Sequence, residues 1–331
     1  MQTEQHHTPT EQRKVLVSFI IPFYNVPAQM LQSCIKSIMA LSLSSSEREI
    51  IIVDDGSQTS PLTELGETTD DIIYVRKKNG GVSTARNAGL RMASGRLVQF
   101  IDADDAIIQA PYEHVLDMVR YEHADMVMFD FSEKPTAPIK YIDNGPMAGN
   151  ELMKSRNIHG SACLFVVERK VLGSLRFTPG IAYSEDEEFT PQLLIKAERV
   201  FCTNAKAYYY RQRPESAINS KVLRSRLKRL NDARKIIMNL HLKAATLPSQ
   251  ERLAMRRRVA QLTMDYIYNV IVLTQSRHFL NRKLEELRRK GLFPLPEQDY
   301  TAKYKWFRRM TNSNLGLLML LRTLPLMNKE R

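Results

Sequence analysis

The sequence predicts an α/β protein in which helices cover a mostly parallel, Rossmann-like sheet, followed by a basic helical extension. Apolar runs without polar alternation are separated by helix-like segments up to about residue 220 of 331, as is typical of strands buried on both sheet faces. The charge changes at the same place, because residues 1–220 hold 23 Lys and Arg against 28 Asp and Glu, whereas residues 221–331 hold 25 against 8. We therefore expect a sheet domain at residues 15–220 and a basic helical region at residues 221–331.

Five runs predict the strands, because each is apolar, rich in β-branched residues and closed by a turn or a polar loop. In chain order they occupy residues 15–25, 49–57, 72–75, 97–102 and 124–131. Segments between them have the apolar spacing of amphipathic helices and occupy residues 30–41, 83–93 and 112–123. Ser83 or Thr84 is expected to cap the second helix. The carboxyl ends of parallel strands meet at one sheet edge, where ligands bind in such folds.

The composition is globular, with 43% hydrophobic and 25% charged residues. Three scattered cysteines without a CxxC pair exclude a disulfide framework and favour a reducing compartment. The polar residues 1–14 predict a disordered tail, no secretory leader and a cytoplasmic location. The apolar stretch at residues 314–327 is too short for a membrane span, which needs about 20 residues.

A buried run ends abruptly in carboxylates at "LVQFIDADD", where Asp102, Asp104 and Asp105 follow the fourth predicted strand. Like charges this close repel, which costs free energy unless a cation balances them. Asp102 and Asp104 are two residues apart, so both carboxylates can face the same way, and hard oxygen ligands suit Mn²⁺ or Mg²⁺. The alternative is a solvated turn, which is the commoner explanation of an isolated DxD.

Two further loops follow predicted strands. At "VDDGS", Asp54 and Asp55 precede a glycine, and an aspartate there can accept hydrogen bonds from a ribose or a base. At "KKNGGVSTARNAGL", Gly80 and Gly81 allow close backbone approach before a helix N-terminus, which favours anions. Arg86 opposes the dipole of that helix, so we expect it there for another reason. Taken alone, each motif is more often an ordinary turn or loop-to-helix connection.

Two motifs lie near the end of the sheet region. "YSEDEEF" places four acids, residues 185–188, at the start of a probable helix. They either stabilise the helix dipole or provide a general base for a hydroxyl group. "YYYRQRPES" places Arg211 and Arg213 two residues apart, ahead of Ser216. These arginines either clamp phosphates or remain solvated on a linking strand.

All these motifs in this order resemble the family 2 glycosyltransferases of GT-A fold, of the inverting type that builds bacterial cell-surface polysaccharides. The resemblance covers roughly residues 15–220 and rests on "VSFIIPFYN", "EIIIVDDGSQTS", "NGGVSTARNAGL", "GRLVQFIDADD", "YSEDEEF" and "YYYRQRPES". It implies transfer of a sugar from a nucleotide-sugar, expected to be a UDP-sugar, to a glycan or lipid-linked oligosaccharide acceptor. The cofactor that it implies is Mn²⁺ or Mg²⁺.

The resemblance also implies which residues bind the donor. The first-strand loop packs around the nucleoside, and Asp54 contacts the uracil base. Arg86 lines the nucleotide pocket, while Arg211 and Ser216 close over the diphosphate. The full set of implied donor-binding residues is Pro22, Tyr24, Asn25, Asp54, Asp55, Arg86, Asp102, Arg211 and Ser216.

The same resemblance implies the metal ligands and the base. Asp102 and Asp104 lie at the ribose and the metal, with Asp104 the favoured metal ligand. Asp186 is the favoured catalytic base, next to Glu185, and the register among Glu185, Asp186 and Glu187 stays open. Configuration inverts, because a single displacement needs no covalent intermediate on the enzyme.

The C-terminal region departs from what the resemblance explains. Its basic helices and apolar end are expected to contact an anionic membrane surface, peripheral on the inner face of the cytoplasmic membrane. The alternative is that they pack on the sheet domain and bury the apolar end in a core or a dimer contact. The chain lacks a long hydrophobic segment and a QxxRW pattern, so we do not expect a processive synthase with its own channel.

Two other functions fit less well. A nucleotidyltransferase needs a glycine-rich basic loop after the first strand, where this chain has "PFYNVPAQM". A basic nucleic-acid- or membrane-binding protein with a non-catalytic GT-A-like domain would explain the charge of the C-terminal region. Its basic residues are spread around helices with few aromatics between them, so we expect no nucleic-acid partner.

Overall fold

The computed structural model describes residues 15–62, 71–134, 140–212 and 222–327. Nine strands within these ranges form one sheet in the order β3-β2-β1-β4-β8-β6-β9-β5, with β7 paired to β9. They are β1 (Val17–Phe23), β2 (Arg48–Asp54), β3 (Ile72–Arg76), β4 (Leu97–Phe100), β5 (Ala106–Ile107), β6 (Met126–Ser132), β7 (Asp143–Met147), β8 (Phe165–Glu168) and β9 (Val200–Tyr209). The predicted tail at residues 1–14 lies outside the described residues, as do Arg213 and Ser216.

The sheet has a parallel half and a mixed half. Strands β3, β2, β1 and β4 all run parallel, and β1 and β2 are almost wholly buried, which confirms the predicted α/β sheet. Beyond β4, strand β8 runs antiparallel to both of its neighbours, whereas β9 runs parallel to β6. The carboxyl ends of β1, β2 and β4 therefore open at the same edge, as expected for a ligand site.

Helices flank this sheet and extend beyond it. Within the described ranges they are α1 (Ala28–Met39), α2 (Val82–Met92), α3 (Gln109–Tyr121), α4 (Gly149–Ser155), α5 (Arg169–Leu172), α6 (Asp186–Leu194), α7 (Leu223–Ala245), α8 (Ser249–Thr274), α9 (Arg277–Arg289), α10 (Ala302–Thr311) and α11 (Asn314–Met327). Among these helices, none combines the length and the apolar character that a membrane span requires.

Helix α2 lies unusually close to the sheet. A Cβ atom on Gly89 would stand 2.3 Å from Ile20 Cγ2 on β1, so only glycine lets the helix approach this closely. The predicted cap is wrong, because the helix starts after Gly81, whose φ is 88°, and no side chain caps it. Ser83 and Thr84 instead lie inside the first turn. Helix α2 therefore begins directly after the glycine loop and without a polar capping side chain.

The C-terminal helices pack around α8 and against the sheet domain. Helix α8 contacts α4, α7, α9, α10 and α11, and α7 also contacts α6. The apolar end is divided between two environments, because Leu317, Leu320 and Leu324 of α11 are buried whereas Leu315 and Met319 are exposed. Residues of α7 and α8 lie near the loops at the open sheet edge.

Candidate active site

A cleft of about 870 Å³ lies where the loops after β1, β2 and β4 meet. The start of α2, the segment that leads into α6, and helices α7 and α8 complete its walls. Of the predicted site residues, those that line this cleft are Pro22, Tyr24, Asp55, Arg86, Asp102, Asp104, Glu185 and Asp186. The fold therefore brings together motifs that lie more than 160 residues apart in the chain.

The loop after β1 presents Pro22 and Tyr24 to the cleft, and Tyr24 is 51% exposed. Asn25 has a different role, since it joins this loop to the loop after β2. Its backbone N–H donates a hydrogen bond to Ser57 Oγ at 3.0 Å, and its Oδ1 accepts one from the Gln58 N–H at 2.9 Å. Asn25 thus links the two loops and is not among the residues that line the cleft.

Asp54 is fully buried and does not line the cleft, so its contact with a base stays a prediction. One carboxylate oxygen accepts the Ser57 N–H at 2.8 Å, and the other accepts the Tyr74 hydroxyl at 2.8 Å. Burial works to raise the pKa of Asp54, but these hydrogen bonds and the charge of Arg76 lower it below its usual value. One oxygen thus serves the turn after β2 and the other binds Tyr74 of β3, whereas Asp55 lines the cleft.

Asp55 fixes the glycine loop that precedes α2. Its carboxylate accepts the Gly80 N–H at 3.0 Å and the Gly81 N–H at 2.7 Å, and it forms an ion pair with Lys77. The loop is therefore tied to the end of β2 at the edge of the cleft. The two neighbouring aspartates at the end of β2 thus have separate roles, because Asp54 is bound inside the protein and Asp55 lies at the cleft.

Arg86 lies at the centre of the site and is only 4% exposed. Its guanidinium donates to Asp102 Oδ1 at 3.0 Å and to Glu185 Oε1 at 2.5 Å, and it lies 5.3 Å from the centroid of the Phe177 ring. Burial alone would lower the pKa of Arg86, but the charges of Asp102 and Glu185 raise it well above its usual value. Arg86 therefore forms ion pairs that link α2 to the loop after β4 and to the acid segment, which we define as residues 185–188.

The three aspartates after β4 differ in environment. Asp102 and Asp104 are partly exposed and line the cleft. Asp105 is buried, and it accepts the Tyr208 hydroxyl at 2.7 Å and the Arg211 N–H at 2.8 Å. Burial and the charge of Asp102 raise the pKa of Asp105 to about 7. Asp105 therefore shapes the turn, and Asp102 and Asp104 remain as the outward-facing pair.

The described residues contain no group of three or more His, Cys, Asp or Glu side chains arranged to hold a metal by themselves. Asp102 and Asp104 nevertheless fit Mn²⁺ or Mg²⁺, because both are hard oxygen donors in an open cleft. Only one Asp102 oxygen is bound by Arg86. A cation that takes one or two carboxylates and completes its shell with diphosphate oxygens suits this arrangement.

The four acids at the start of α6 also differ in environment. Glu185 pairs with Arg86, and Glu187 pairs with Arg258 of α8. Glu188 accepts hydrogen bonds from the Thr178 hydroxyl at 3.1 Å and from the Asn239 amide at 3.0 Å. Three of the four are therefore engaged by side chains from other elements.

Asp186 is half-buried, lines the cleft and forms no ion pair with a described residue. One of its oxygens accepts the Glu187 backbone N–H at 3.0 Å. Burial, and then the neighbouring charge of Glu185, raise the pKa of Asp186 to about 7, against the opposing charge of Arg86. A carboxylate with a pKa near neutrality is suited to general base catalysis.

Arg211 does not line the cleft of the described residues. Its guanidinium donates to Ser33 Oγ at 3.3 Å and lies 5.8 Å from the centroid of the Tyr209 ring. Ser216, its expected partner over the diphosphate, lies outside the described residues. The clamp that the sequence predicts at this segment stays a prediction.

The sequence analysis missed the contribution of the C-terminal helices. Arg229 of α7 lines the cleft and lies 5.6 Å from the centroid of the Tyr183 ring, and Asn269 and Leu273 of α8 line the same wall. The sequence shows that α7 and α8 carry many basic residues, but it does not show which of these residues face the cleft. Hence their contacts with the acid segment appear only in three dimensions.

Comparison with solved structures identifies the fold as that of GT-A glycosyltransferases. The crystal structure of S. aureus TarS 1-349 in complex with UDP-GlcNAc aligns with a TM-score of 0.64 at 17% identity, covering 96% of this chain and 92% of that one. A mannosyltransferase from Pyrobaculum calidifontis, in complex with GDP-Man and Mn²⁺, aligns with a TM-score of 0.57 at 14% identity and covers 96% and 88%.

The family model described as glycosyl transferase family 2 matches residues 18–165, so this part of the chain is similar to that family. The uncharacterized glycosyltransferase EpsJ of Bacillus subtilis is 28% identical over 61% of this chain and 62% of its own length. The minor teichoic acid biosynthesis protein GgaB of the same organism is 27% identical over 60% of this chain and 23% of its own. This chain thus spans less than two-thirds of the length of these relatives.

Proposed function

We propose that this protein is an inverting glycosyltransferase that moves a sugar from a nucleotide-sugar to a hydroxyl group of a glycan or lipid-linked oligosaccharide. The observation that carries the proposal is the position of Asp186, an acid that forms no ion pair with a described residue and lies in the same cleft as Asp102 and Asp104. A general base facing a pair of metal-binding carboxylates is what a single displacement at a nucleotide-sugar requires. The relatives named for glycosyl transfer and teichoic acid synthesis support a role in cell-surface polysaccharide assembly.

In the proposed reaction Asp186 accepts the proton of the acceptor hydroxyl while that oxygen attacks the anomeric carbon. The bond from the anomeric carbon to the leaving diphosphate breaks, and its electron pair departs with the diphosphate. Glu185 does not take the proton, because its carboxylate is bound to Arg86. The attack comes from the face opposite the leaving group, so the configuration inverts.

Asp102 and Asp104 would hold Mn²⁺ or Mg²⁺ in this site. The cation supplies positive charge against the charge that develops on the departing diphosphate. Arg86 keeps one Asp102 oxygen in place at 3.0 Å, so the pair is already oriented towards the cleft. Asp105 maintains the turn through Tyr208 and the backbone of Arg211.

A UDP-sugar is the proposed donor. Asp55 and Tyr24 line the cleft, and in this proposal the base of the donor stacks on the half-exposed tyrosine ring. The similar TarS structure holds UDP-GlcNAc and the similar mannosyltransferase holds GDP-Man, so the two solved structures differ in the base of the donor.

The donor proposal predicts metal-dependent stabilisation by one class of nucleotide-sugar. With Mn²⁺ present, a UDP-sugar should raise the midpoint of thermal unfolding, and GDP-, CMP- and dTDP-sugars should not. A ligand at a hundredfold excess over its Kd adds about 2.7 kcal/mol to the free energy of unfolding. The variant Asp104→Ala should lose the metal-dependent part of this shift and keep its fold.

Asp117→Ala is the matched control, because Asp117 is an exposed acid on α3 outside this cleft. It should show the full ligand-induced shift. No shift with any nucleotide-sugar would contradict the donor site, and an unchanged shift in Asp104→Ala would contradict the metal assignment alone.

The proposed acceptor, if lipid-linked, requires contact with a membrane, and α10 and α11 offer a surface for it. Leu315, Met319 and Leu326 are 70%, 51% and 64% exposed and are spaced by four and seven residues, which places them on one face of α11. Trp306 on the adjacent α10 is 52% exposed, and basic Arg309 lies one helical turn beyond it. Exposed apolar side chains beside basic ones suit an anionic lipid surface on the cytoplasmic side.

This surface predicts that the protein sediments with vesicles containing phosphatidylglycerol and stays in solution with vesicles of phosphatidylcholine alone. High salt should weaken the binding, because part of it is electrostatic. Met319→Glu should reduce it strongly, whereas Leu242→Glu, at a 64% exposed leucine on α7, should not. Equal binding by both variants, or a dimer of the wild type that Met319→Glu dissociates, would contradict the membrane surface.

A further inference from the structure

Arg258 is a buried arginine of α8, only 2% exposed, although it belongs to the basic C-terminal region. Its Nη1 donates a hydrogen bond to the carbonyl oxygen of Ile158 at 2.6 Å, and its Nη2 donates to the Glu187 carboxylate. Burying a guanidinium costs free energy unless it is paired and hydrogen-bonded. Arg258 is therefore held by two partners on two different segments.

These two segments are in direct contact with one another. A Cβ atom on Gly160 would stand 2.5 Å from Glu187 Oε2 and 2.9 Å from the carbonyl oxygen of Asp186. Residues 158–160 thus lie against the peptide that joins Asp186 to Glu187. Since Arg258 binds both sides of this contact, a shift of α8 would move the segment that carries Asp186.

The charge of Arg258 also acts on Asp186. Burial lowers the pKa of Arg258 to about 10, although Asp265, Tyr304 and Asp186 act to raise it. Because electrostatic interaction is reciprocal, the positive charge of Arg258 favours the ionised form of Asp186. Glu185 and Asp102 oppose that form, and Arg86 favours it.

The neighbouring Arg257 shows that burial of an arginine on α8 does not by itself involve the acid segment. Arg257 is 5% exposed, and its Nη1 donates to the carbonyl oxygens of Met153 at 2.9 Å and Arg156 at 2.8 Å. Its Nε donates to the carbonyl oxygen of Asp299 at 3.0 Å. Its Nη2 also donates to Asn157 Oδ1 at 3.3 Å, and none of these four partners lines the cleft.

We propose that Arg258 is a positioning residue that holds Glu187 and residues 158–160 so that the Asp186 carboxylate stays directed into the cleft. The inference rests on the proposed function, in which Asp186 is the base. It assigns to the C-terminal helices a part in catalysis that is separate from any membrane contact. Misplacing a catalytic group by about 1 Å is enough to cost about 10²-fold in rate.

The test compares Arg258→Met, Arg258→Lys, Glu187→Gln and the control Arg257→Met, using UDP release in Mn²⁺ from the UDP-sugar that stabilises the wild type. Arg258→Met and Glu187→Gln should each lower kcat by about 10²-fold and leave the Kd of UDP unchanged. Combining them should add little, because both remove the same contact. Arg258→Lys keeps the charge and should recover much of the rate.

The pH profile separates positioning from a general loss of stability. Wild-type kcat should fall as pH drops through about 7, because Asp186 must be ionised to accept a proton. In Arg258→Met this fall should begin at higher pH, because a charge that favours the ionised form is gone. Arg257→Met should lower the thermal midpoint and leave kcat and the profile at their wild-type values.

The outcomes distinguish this inference from the proposed function. No UDP release by the wild type from any nucleotide-sugar would overturn the proposed function, and the positioning role with it. An active wild type matched in kcat and pH profile by Arg258→Met would overturn the positioning role alone. If Arg258→Met does not fold, Glu187→Gln decides, and wild-type kcat in that variant overturns the inference.

Discussion

The variant Asp186→Asn should lower kcat for sugar transfer by about 10²–10⁴-fold and leave donor affinity nearly unchanged. The amide has the size of the carboxylate and can still accept the Glu187 backbone N–H through its oxygen, so the local structure should persist. It cannot take the proton of the attacking hydroxyl. The measurements are kcat for UDP release and, separately, the Kd of UDP in Mn²⁺ by calorimetric titration.

Glu185→Gln is the informative comparison, because Glu185 precedes Asp186 and is the other acid that the sequence marks as catalytic. Its carboxylate binds Arg86, so its loss should act mainly on stability and on the order of the site. If Asp186→Asn kept wild-type kcat while Glu185→Gln lost it, the base would be Glu185. We expect Asp186→Asn to lose kcat instead, because Glu185 is bound to Arg86 whereas Asp186 forms no ion pair with a described residue.

The parallel half of the sheet and the position of the cleft were predictable, because they depend on local patterns. Unbroken apolar runs such as that of β2 are buried on both faces, and the pattern repeats four times before residue 102. The rule that ligands lie beyond the carboxyl ends of such strands then placed Asp55, Asp102 and Asp104 at one edge. The structure gathers these three residues around one cleft.

The choice between adjacent residues was not predictable. Asp54 and Asp55 are chemically identical, and a strand end does not reveal which one turns into the protein. The hydrogen bonds of Asp54 to Ser57 and Tyr74 depend on the turn after β2 and on the neighbouring β3. A sequence resemblance assigns a role to a position, but only the structure shows that Asp55 and not Asp54 lines the cleft.

Long-range ion pairs were also beyond the sequence. Arg86 and Glu185 are 99 residues apart, and Arg258 and Glu187 are 71 apart. The positive charge of the C-terminal region predicted an anionic partner outside the protein. Part of that charge instead meets the acid segment inside it, since Arg258 is buried against Glu187. The composition gives the number of charged residues, but it does not show whether they pair within the protein or with another molecule.

The variant Arg86→Met should lower the free energy of unfolding by about 3–5 kcal/mol, the usual cost of breaking a buried ion pair. Arg86 is 4% exposed, and its loss leaves the carboxylates of Glu185, Asp102 and Asp186 close together without their common cation. The value should lie towards the lower end, because the Asp102 side chain is 41% exposed and can be hydrated. Urea unfolding at pH 8, above the pKa of about 7 of Asp186, measures the loss.

Lys154→Met is the matched control, since it breaks a surface pair with Glu151 in which the side chains are 27% and 58% exposed, and surface pairs contribute about 0–1 kcal/mol. The double variant Arg86→Met with Glu185→Gln should be more stable than Arg86→Met alone, because a neutral amide no longer repels Asp186 and Asp102. The stability lost by Arg86→Met should also shrink as pH falls through about 7, because Asp186 then takes up a proton and no longer repels its neighbours. A double variant no more stable than the single one would show that Arg86 stabilises the fold through its packing on Phe177 rather than through its charge.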